Sequence, residues 1–214
     1  MNNSNIEYYN QNADSFYENS VNADISEWRN KFIRHIPDGG RILDAGCGSG
    51  RDSKAFIQEG FSVVAFDASR EMCKKASELL GQEVWQIRFD EMSFDEEFDG
   101  VWACASLLHA KENELPEVLS KIYKSLKDNG IFYASFKYGE GVTQRGDRVF
   151  IDFTEESIKT YLEKAVFEII YTGITTDVRP GREDEKWTNV IAIKNNSRCE
   201  NERSFIKTNN RVNP

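Results

Sequence analysis

The sequence predicts an α/β fold: a doubly wound, mostly parallel sheet of seven strands that ends in an antiparallel hairpin. Three observations predict it. From residue 41 onwards, short apolar stretches rich in β-branched residues alternate with stretches of helical spacing. A glycine-rich turn follows the first strand, and the last two strands flank a turn at Arg179-Pro180-Gly181. Because strands that alternate with helices pair in parallel, helices are expected to cover both faces of the sheet.

The elements of the first part of the chain begin with an N-terminal helical cap. Residues 6–36 carry aromatic and aliphatic side chains at intervals of three and four, and the Pro-Asp-Gly-Gly sequence at 37–40 ends this pattern. Short apolar runs and amphipathic stretches that end in glycine then predict strands over 41–44 and 61–66, and helices over 51–59 and 69–80.

The second part of the chain continues the alternation. Apolar runs predict strands over 84–88, 101–105 and 131–136, and a single apolar face predicts a helix over 113–127. Thr154 is a suitable N-cap for a helix over 154–164. Two further strands, 167–171 and 187–193, form the terminal hairpin.

Composition limits the domain count and the class of protein. The chain has 214 residues, enough for a single domain, which we expect over 1–194, followed by a polar, mobile tail over 195–214. A net charge of −9 argues against non-specific nucleic-acid binding, and no apolar run is long enough to span a membrane. Four cysteines without a Cys-x-x-Cys pair, two histidines and a polar N-terminus without a signal-peptide profile predict no metal site and a cytoplasmic protein.

The clearest functional signal is the glycine turn that follows the first strand. Gly46, Gly48 and Gly50 lie between that strand and the next helix, where a sharp reversal and a close ligand exclude side chains. Asp67 ends the second strand, 21 residues after Gly46. In doubly wound folds, a carboxylate at this distance binds ribose hydroxyls. The two features together predict a site for an adenosine-containing cofactor.

The charges near the turn distinguish between cofactors. The dinucleotide fingerprint requires a third glycine where this chain has Arg51. Asp44 would also place a negative charge near a pyrophosphate, whereas it suits a ligand with an ammonium and a sulfonium group. The sequence therefore favours S-adenosylmethionine, and an NAD-dependent oxidoreductase is the weaker alternative.

Several motifs resemble those of the class I S-adenosylmethionine-dependent methyltransferases. Leu43-Asp44-Ala45-Gly46-Cys47-Gly48-Ser49-Gly50 resembles their first motif. Val64–Asp67 resembles their acidic motif at the end of the second strand, and Phe98–Trp102 resembles their fourth strand. Lys127–Tyr133 is similar to their entry to strand five. The resemblance covers residues 6–194 and extends to a bacterial subgroup described as tellurite-resistance-related. It implies a Rossmann-like methyltransferase fold, with S-adenosylhomocysteine as the product.

The resemblance also implies roles for individual residues. The glycines would line the methionyl and ribose side of the cofactor, Asp44 would hold its amino end, and Asp67 would bind the ribose. Met72 would lie against adenine, Phe89 or Asp90 would reach the adenine edge, and Ala103 would approach the sulfonium. The full predicted cofactor set is Asp44, Gly46, Gly48, Gly50, Asp67, Ala68, Met72, Phe89, Asp90 and Ala103.

Methyl transfer is an in-line displacement, which needs alignment of the reactants more than it needs a fixed catalytic motif. His109 follows strand four and is the candidate general base, with a structural role as the alternative. Aromatic residues of the N-terminal cap are candidates for a lid, and basic residues late in the chain are candidates for binding an anion on a small substrate. The candidate substrate residues are Tyr17, Lys137, Tyr138, Arg148, Arg182 and Trp187.

Alternative acceptors and activities remain open at this point. DNA methylation is disfavoured, because the family's amino-methylating branch has Asn/Asp-Pro-Pro-Tyr/Phe where this chain has Ala103-Cys104-Ala105-Ser106. An RNA methyltransferase and a non-catalytic module that binds S-adenosylmethionine are the two alternatives to a small-molecule methyltransferase. The sequence does not indicate the oligomeric state.

Overall fold

The computed structural model describes residues 3–195. All of the predicted polar tail except Asn195 therefore lies outside the described residues. The predicted N-terminal cap consists of three separate helices: α1 (Asn3–Gln11), α2 (Ala13–Ser20) and α3 (Ser26–Ile33). Within the described part of the chain, no helix combines the length and the apolar character that crossing a bilayer would require.

The sheet has seven strands, which confirms the predicted fold class. Its strands are β1 (Arg41–Ala45), β2 (Ser62–Asp67), β3 (Trp85–Gln86), β4 (Phe98–Ala103), β5 (Leu126–Lys137), β8 (Phe167–Thr176) and β9 (Lys186–Lys194). They lie in the order β3-β2-β1-β4-β5-β9-β8. The first five are parallel, whereas β9 is antiparallel to both β5 and β8. A separate two-stranded sheet pairs β6 (Gly141–Arg145) with β7 (Arg148–Asp152).

Helices cover both faces of the sheet, as the alternating pattern requires. They are α4 (Arg51–Gln58), α5 (Arg70–Leu80), α6 (Leu115–Ser125) and α7 (Glu155–Lys164). Successive residues of β5 alternate between two cores: Phe132 packs in the core that contains residues of α6 and α7, while Ile131 and Tyr133 pack in the core that contains residues of α3, α4 and α5. This alternation follows from the two-residue period of a strand.

Several local predictions differ from the structure. Residues 141–152, for which the sequence predicts no strand, form the β6–β7 hairpin that contains Arg145 and Arg148. Residues 126–127, the end of the predicted helix 113–127, are the beginning of β5. The fourth strand ends at Ala103 rather than 105, because Ala105 adopts a left-handed conformation (φ +52°) that an extended strand does not allow. The third strand is limited to Trp85–Gln86 because it pairs with β2 only there, through Phe66 and Asp67.

Helices α1 and α2 lie over the carboxyl ends of the central parallel strands, and we call these two helices the helical cover. Helix α1 packs against α5 on one side and β7 on the other, and α2 also packs against α5. In an open α/β sheet, ligands bind outside the carboxyl ends of the strands, close to the point where the strand order reverses. In this sheet that point is between β1 and β4, next to the glycine turn.

Candidate functional site

A cavity of about 590 Å³ lies at the carboxyl ends of β1, β2, β4 and β5. The glycine turn and the start of α5 form one part of its wall. Helices α1 and α2, the start of α3, the segment after β4, the end of β5, the β6–β7 hairpin and the segment between β8 and β9 also contribute to it. Its volume is in the range of small-molecule and cofactor sites, about 300–1,000 Å³. The volume therefore suits a cofactor or another small molecule.

The glycine turn is fixed to the neighbouring strand and closely packed on one side. The backbone N–H groups of Gly46 and Cys47 both donate to the carbonyl oxygen of Phe66, at 2.9 Å each. A Cβ atom at Gly46 would lie 2.5 Å from the Cβ of Ser106, and Gly46 has a φ of +79°. A Cβ at Gly48 would meet only Phe16, at 3.4 Å. Gly48 therefore faces the space between the turn and the helical cover.

Asp67 connects the second strand to this turn. One carboxylate oxygen accepts the N–H of Gly48 at 2.9 Å, and the other accepts the N–H of Ser69 at 2.8 Å. Burial raises the pKa of Asp67 above its ordinary value. Each carboxylate oxygen can accept more than one hydrogen bond, so the side chain retains acceptor capacity towards the cavity that it lines.

Asp44 lies deeper in the same wall and is 2% exposed. One of its oxygens accepts the hydroxyl of Ser53 at 2.6 Å and the Ser53 N–H at 3.1 Å, which ties β1 to the first turn of α4. Burial, together with the nearby Asp52 carboxylate, raises the pKa of Asp44 to about 7. A cation bound beside Asp44 would favour its ionised form.

Arg51 also lines the cavity, although the sequence motifs assign it no role beyond its position in place of the third glycine of the dinucleotide fingerprint. Its guanidinium donates to both oxygens of Asp52, at 2.9 and 2.7 Å, and Asp52 also accepts the Trp102 indole N–H at 2.9 Å. Asp52 therefore holds the guanidinium from one side. The position of Arg51 directly after the last glycine is the sequence signal that could have identified it.

The structure places the predicted cofactor residues in two groups. Asp44, Gly46, Gly48, Asp67, Ala68 and Met72 line the cavity. The remaining ones have other surroundings. Gly50 packs against Ala76, and Phe89 and Ala103 are buried in the core. Asp90 is exposed and pairs with Arg88 at 2.9 Å. Since these four are not part of the wall, contacts from them to a cofactor stay predictions.

His109 lies in the wall but is only 4% exposed. Its Nε2 is 2.8 Å from the hydroxyl of Tyr9, and its Nδ1 is 3.1 Å from the side-chain nitrogen of Asn5 and 3.2 Å from the carbonyl oxygen of Val149. Burial lowers the pKa of His109 to about 3. Both ring nitrogens therefore have protein partners, and the ring is neutral at pH 7.

The candidate substrate residues are also divided by the structure. Lys137, Arg148, Arg182 and Trp187 line the cavity. Tyr17 contacts Lys75 of α5, with the ammonium 5.2 Å from the ring centre, and Tyr138 is 43% exposed. Neither tyrosine is part of the wall. Among the aromatic residues of α1 and α2, Tyr8, Tyr9 and Phe16 line the cavity.

Most basic residues of the wall are neutralised by carboxylates. Lys137 pairs with Asp177 and Glu185, and its ammonium lies 3.8 Å from the centre of the Trp187 ring. The other pairs are Arg51 with Asp52, Arg145 with Asp152, Arg179 with Asp177 and Arg182 with Glu185. Although burial opposes it, Arg179 lowers the pKa of Asp177 through hydrogen bonds.

Arg148 differs from these residues. Within residues 3–195, no carboxylate forms an ion pair with it. Its guanidinium lies 4.6 Å from the ring centre of Tyr8 and 5.1 Å from that of Phe150, and it donates to the Tyr9 hydroxyl at 3.3 Å. Its Nε is buried and has no hydrogen-bond partner there. Arg148 thus brings an uncompensated positive charge to the cavity wall.

Comparisons with known proteins agree with this geometry. A family model described as a methyltransferase domain matches residues 42–130. YqeM of Bacillus subtilis, named as a methyltransferase, is 29% identical over 139 residues, which cover 60% of this chain and 56% of YqeM. The glycine/sarcosine N-methyltransferase of Parasynechococcus marenigrum is 30% identical over 129 residues, which cover 55% of this chain and 46% of that protein. The match therefore spans about half the length of these relatives.

A solved structure extends the likeness over the fold. The 1,6-didemethyltoxoflavin-N1-methyltransferase of Burkholderia thailandensis, solved with bound 1,6-didemethyltoxoflavin and S-adenosylhomocysteine, has a TM-score of 0.74 at 21% identity. The match covers 89% of this chain and 85% of that one. The tellurite-resistance-related subgroup stays a prediction. The segment that matches the methyltransferase-domain family model contains the glycine turn and the acidic end of β2, and the sheet as a whole has the fold of S-adenosylmethionine-dependent methyltransferases.

Proposed function

We propose that this chain transfers a methyl group from S-adenosylmethionine to a small molecule that carries an anionic group. The choice of an anionic acceptor rests on Arg148. Its guanidinium lies in the cavity wall and has no carboxylate partner within the described residues. A partly buried guanidinium without a counter-charge is a favourable site for a carboxylate or phosphate.

The residues of the wall fit the cofactor. Gly48 leaves the backbone of the turn open towards the cavity, and Asp67 has acceptor capacity for ribose hydroxyls. Asp44 would hold the ammonium of the amino-acid end, and Arg51 would hold its carboxylate. When bound, S-adenosylmethionine supplies an electrophilic methyl group on a sulfonium centre, which a nucleophile takes by in-line displacement.

The chain's own contribution to this reaction is alignment and exclusion of water. Helices α1 and α2 and the β6–β7 hairpin contribute to the cavity wall opposite the glycine turn. An acceptor anchored at Arg148 would be held in one orientation, and fixed alignment can supply a large part of the rate of a bimolecular reaction. No carboxylate needs to contact the sulfonium, since that would stabilise the reactants more than the transition state.

The charges of the cavity wall suit a small acceptor better than RNA. A nucleic-acid strand requires a positively charged groove that follows its backbone, whereas the basic residues around Arg148 are paired with carboxylates. Two proteins similar to this chain act, by name, on 1,6-didemethyltoxoflavin and on glycine or sarcosine. All three substrates are small molecules, which supports the proposal.

The proposed function is tested by turnover. The full chain is incubated with S-adenosylmethionine and a metabolite panel that includes neutral, cationic and anionic members and bulk RNA, and S-adenosylhomocysteine is measured. We expect turnover with an anionic small molecule. For that acceptor, Arg148→Gln is expected to lower kcat/KM about 10- to 100-fold, since a hydrogen bond to a charged group contributes about 1.5–3 kcal/mol. Turnover with RNA alone, or full activity of the variant, would contradict the proposal.

The raised pKa of Asp44 predicts pH-dependent cofactor binding. Because its pKa is raised to about 7, Asp44 is mostly protonated at pH 6, and an ammonium beside it would expel that proton. Affinity for S-adenosylmethionine should therefore rise with pH from 5.5 to about 7, below the range of about 7.7–8.0 in which an α-amino group itself titrates. The stability of the cofactor-free protein depends on pH in the opposite direction. Because the folded chain holds the Asp44 proton more tightly than the unfolded chain does, the free energy of unfolding falls as the pH rises from Asp44's ordinary pKa of 3.8 towards 7.

Calorimetry at pH 6 in two buffers of different ionisation enthalpy measures the effect. We expect release of close to one proton per cofactor bound by the wild-type chain. Asp44→Asn should bind more weakly and release none. Proton uptake by the wild type, or an affinity that does not change between pH 5.5 and 7, would remove Asp44 from the ammonium site.

A further inference from the structure

The N-terminal helix has two polar side chains next to Arg148 and its strand: Tyr9, which lines the cavity, and Asn5, which is not part of the cavity wall. Asn5 is completely buried: it donates to the Val149 carbonyl at 2.8 Å and accepts the Val149 N–H at 2.9 Å. Tyr9 lies one turn further along α1, between His109 and Arg148. The helix is thus joined to strand β7 through contacts that also involve His109.

The hydrogens of Asn5 determine the tautomer of His109. The buried side-chain nitrogen of Asn5 carries two hydrogens, and the structure offers it two acceptors, the Val149 carbonyl and Nδ1 of His109, at 3.1 Å. If Nδ1 carried the ring proton, it would compete for the same carbonyl and leave a buried N–H of Asn5 unpaired. Since buried polar groups are paired, we assign the ring proton of His109 to Nε2.

This tautomer determines what Tyr9 can do. The Nε2–H of His109 donates to the Tyr9 oxygen at 2.8 Å, and Arg148 donates to the same oxygen at 3.3 Å. Both acceptor positions of the phenol oxygen are then occupied. Burial raises the pKa of Tyr9, although Arg148 opposes it, so the phenol keeps its proton. The Tyr9 hydroxyl is therefore free to donate its hydrogen into the cavity, which Tyr9 lines.

We propose that the Tyr9 hydroxyl and the Arg148 guanidinium together form an oxyanion site for the methyl acceptor, with His109 as the residue that positions Tyr9. A carboxylate or phosphate oxygen would accept from both groups, whereas a neutral or cationic group would leave the guanidinium without a counter-charge. This inference rests on the proposed function and assigns the anionic group of its substrate to a pair of donors. It also replaces the role of general base that the sequence suggested for His109.

The tautomer is tested first, because it requires no substrate and no change at the proposed site. The chain has two histidines, His35 and His109, and His35 is exposed, so His35→Asn assigns the signals of a ¹⁵N-histidine-labelled sample. We expect His109 to be neutral and protonated at Nε2 at pH 7, and to stay neutral at pH 5. Protonation at Nδ1, or a charged ring at pH 7, would overturn the role given to Tyr9.

The oxyanion site is tested by binding to the full chain saturated with S-adenosylhomocysteine. The probes are benzoate and inorganic phosphate, which distinguish a carboxylate from a phosphate site, and neutral benzamide. We expect one of the two anions to bind at least about tenfold more tightly than benzamide. Arg148→Gln and Tyr9→Phe should each weaken that anion about tenfold or more. Tyr171→Phe, on the exposed edge strand β8, should change nothing.

The outcomes separate the two proposals. If S-adenosylhomocysteine itself does not bind, the proposed function fails. If it binds but neither anion is preferred over benzamide, or if Tyr9→Phe binds the anion as tightly as the wild type, the oxyanion site is wrong while the cofactor assignment stands.

Discussion

Asp67→Ala is expected to weaken the binding of S-adenosylmethionine by at least about 100-fold. Two losses contribute. The first is the acceptor for the ribose hydroxyls, and hydrogen bonds to a charged group contribute about 1.5–3 kcal/mol each. The second is the support of the turn, because Asp67 accepts the N–H of Gly48 and thereby fixes the backbone that faces the cofactor. Calorimetry with S-adenosylmethionine measures the combined effect.

Two further variants separate these contributions. Asp67→Asn keeps one carbonyl oxygen, which can accept from Gly48 or from Ser69 but not from both as now, so an intermediate affinity is expected. Asp38→Ala is the control: it removes an exposed carboxylate from the turn before β1, where no cavity residue lies. This variant should bind the cofactor with wild-type affinity. If Asp67→Ala, verified as folded by circular dichroism, kept wild-type affinity, Asp67 would have no place in the cofactor site.

The sequence was sufficient to predict those parts of the site that depend on local chain geometry. A glycine turn between a buried strand and a helix can be recognised from residue types alone, and so can the acidic residue that ends the next strand. In the structure Gly46, Gly48 and Asp67 line one cavity, because parallel neighbouring strands bring their carboxyl ends to the same edge. The seven-stranded sheet follows from the same alternation of strands and helices.

The acceptor side could not be predicted in this way, because it is assembled from distant segments. Tyr9, His109 and Arg148 are separated by about 100 and 40 residues, and their relation depends on how α1 packs on β7. The sequence also gives no indication of which arginine is neutralised. Arg145 and Arg148 look equivalent in it, yet Arg145 pairs with Asp152 in the same hairpin while Arg148 lies among aromatic rings.

Gly46→Ala is expected to have the largest effect on stability among the substitutions considered. At a φ of +79°, an alanine costs about 1–2 kcal/mol in backbone strain. Its Cβ would also lie 2.5 Å from the Cβ of Ser106, whose hydroxyl donates to the carbonyl oxygen of Ala45 and so has little freedom to move. Overpacking of this kind typically costs another 1–3 kcal/mol or so. We expect the free energy of unfolding to fall by about 2–5 kcal/mol in total, measured by urea denaturation.

Gly81→Ala provides the matched control for the steric part. Gly81 has a similar φ of +66° at the end of α5, but a Cβ there would meet nothing within 4 Å, so it should cost only the backbone strain. The overlap itself can be relieved by adding Ser106→Gly to Gly46→Ala, which removes the Cβ that clashes. Because the two residues are in contact, their effects should not add, and the double variant should be more stable than the sum of the single changes predicts. If Gly46→Ala cost no more than Gly81→Ala, the close contact between the turn and Ser106 would not constrain position 46, and only the left-handed backbone would explain the glycine there.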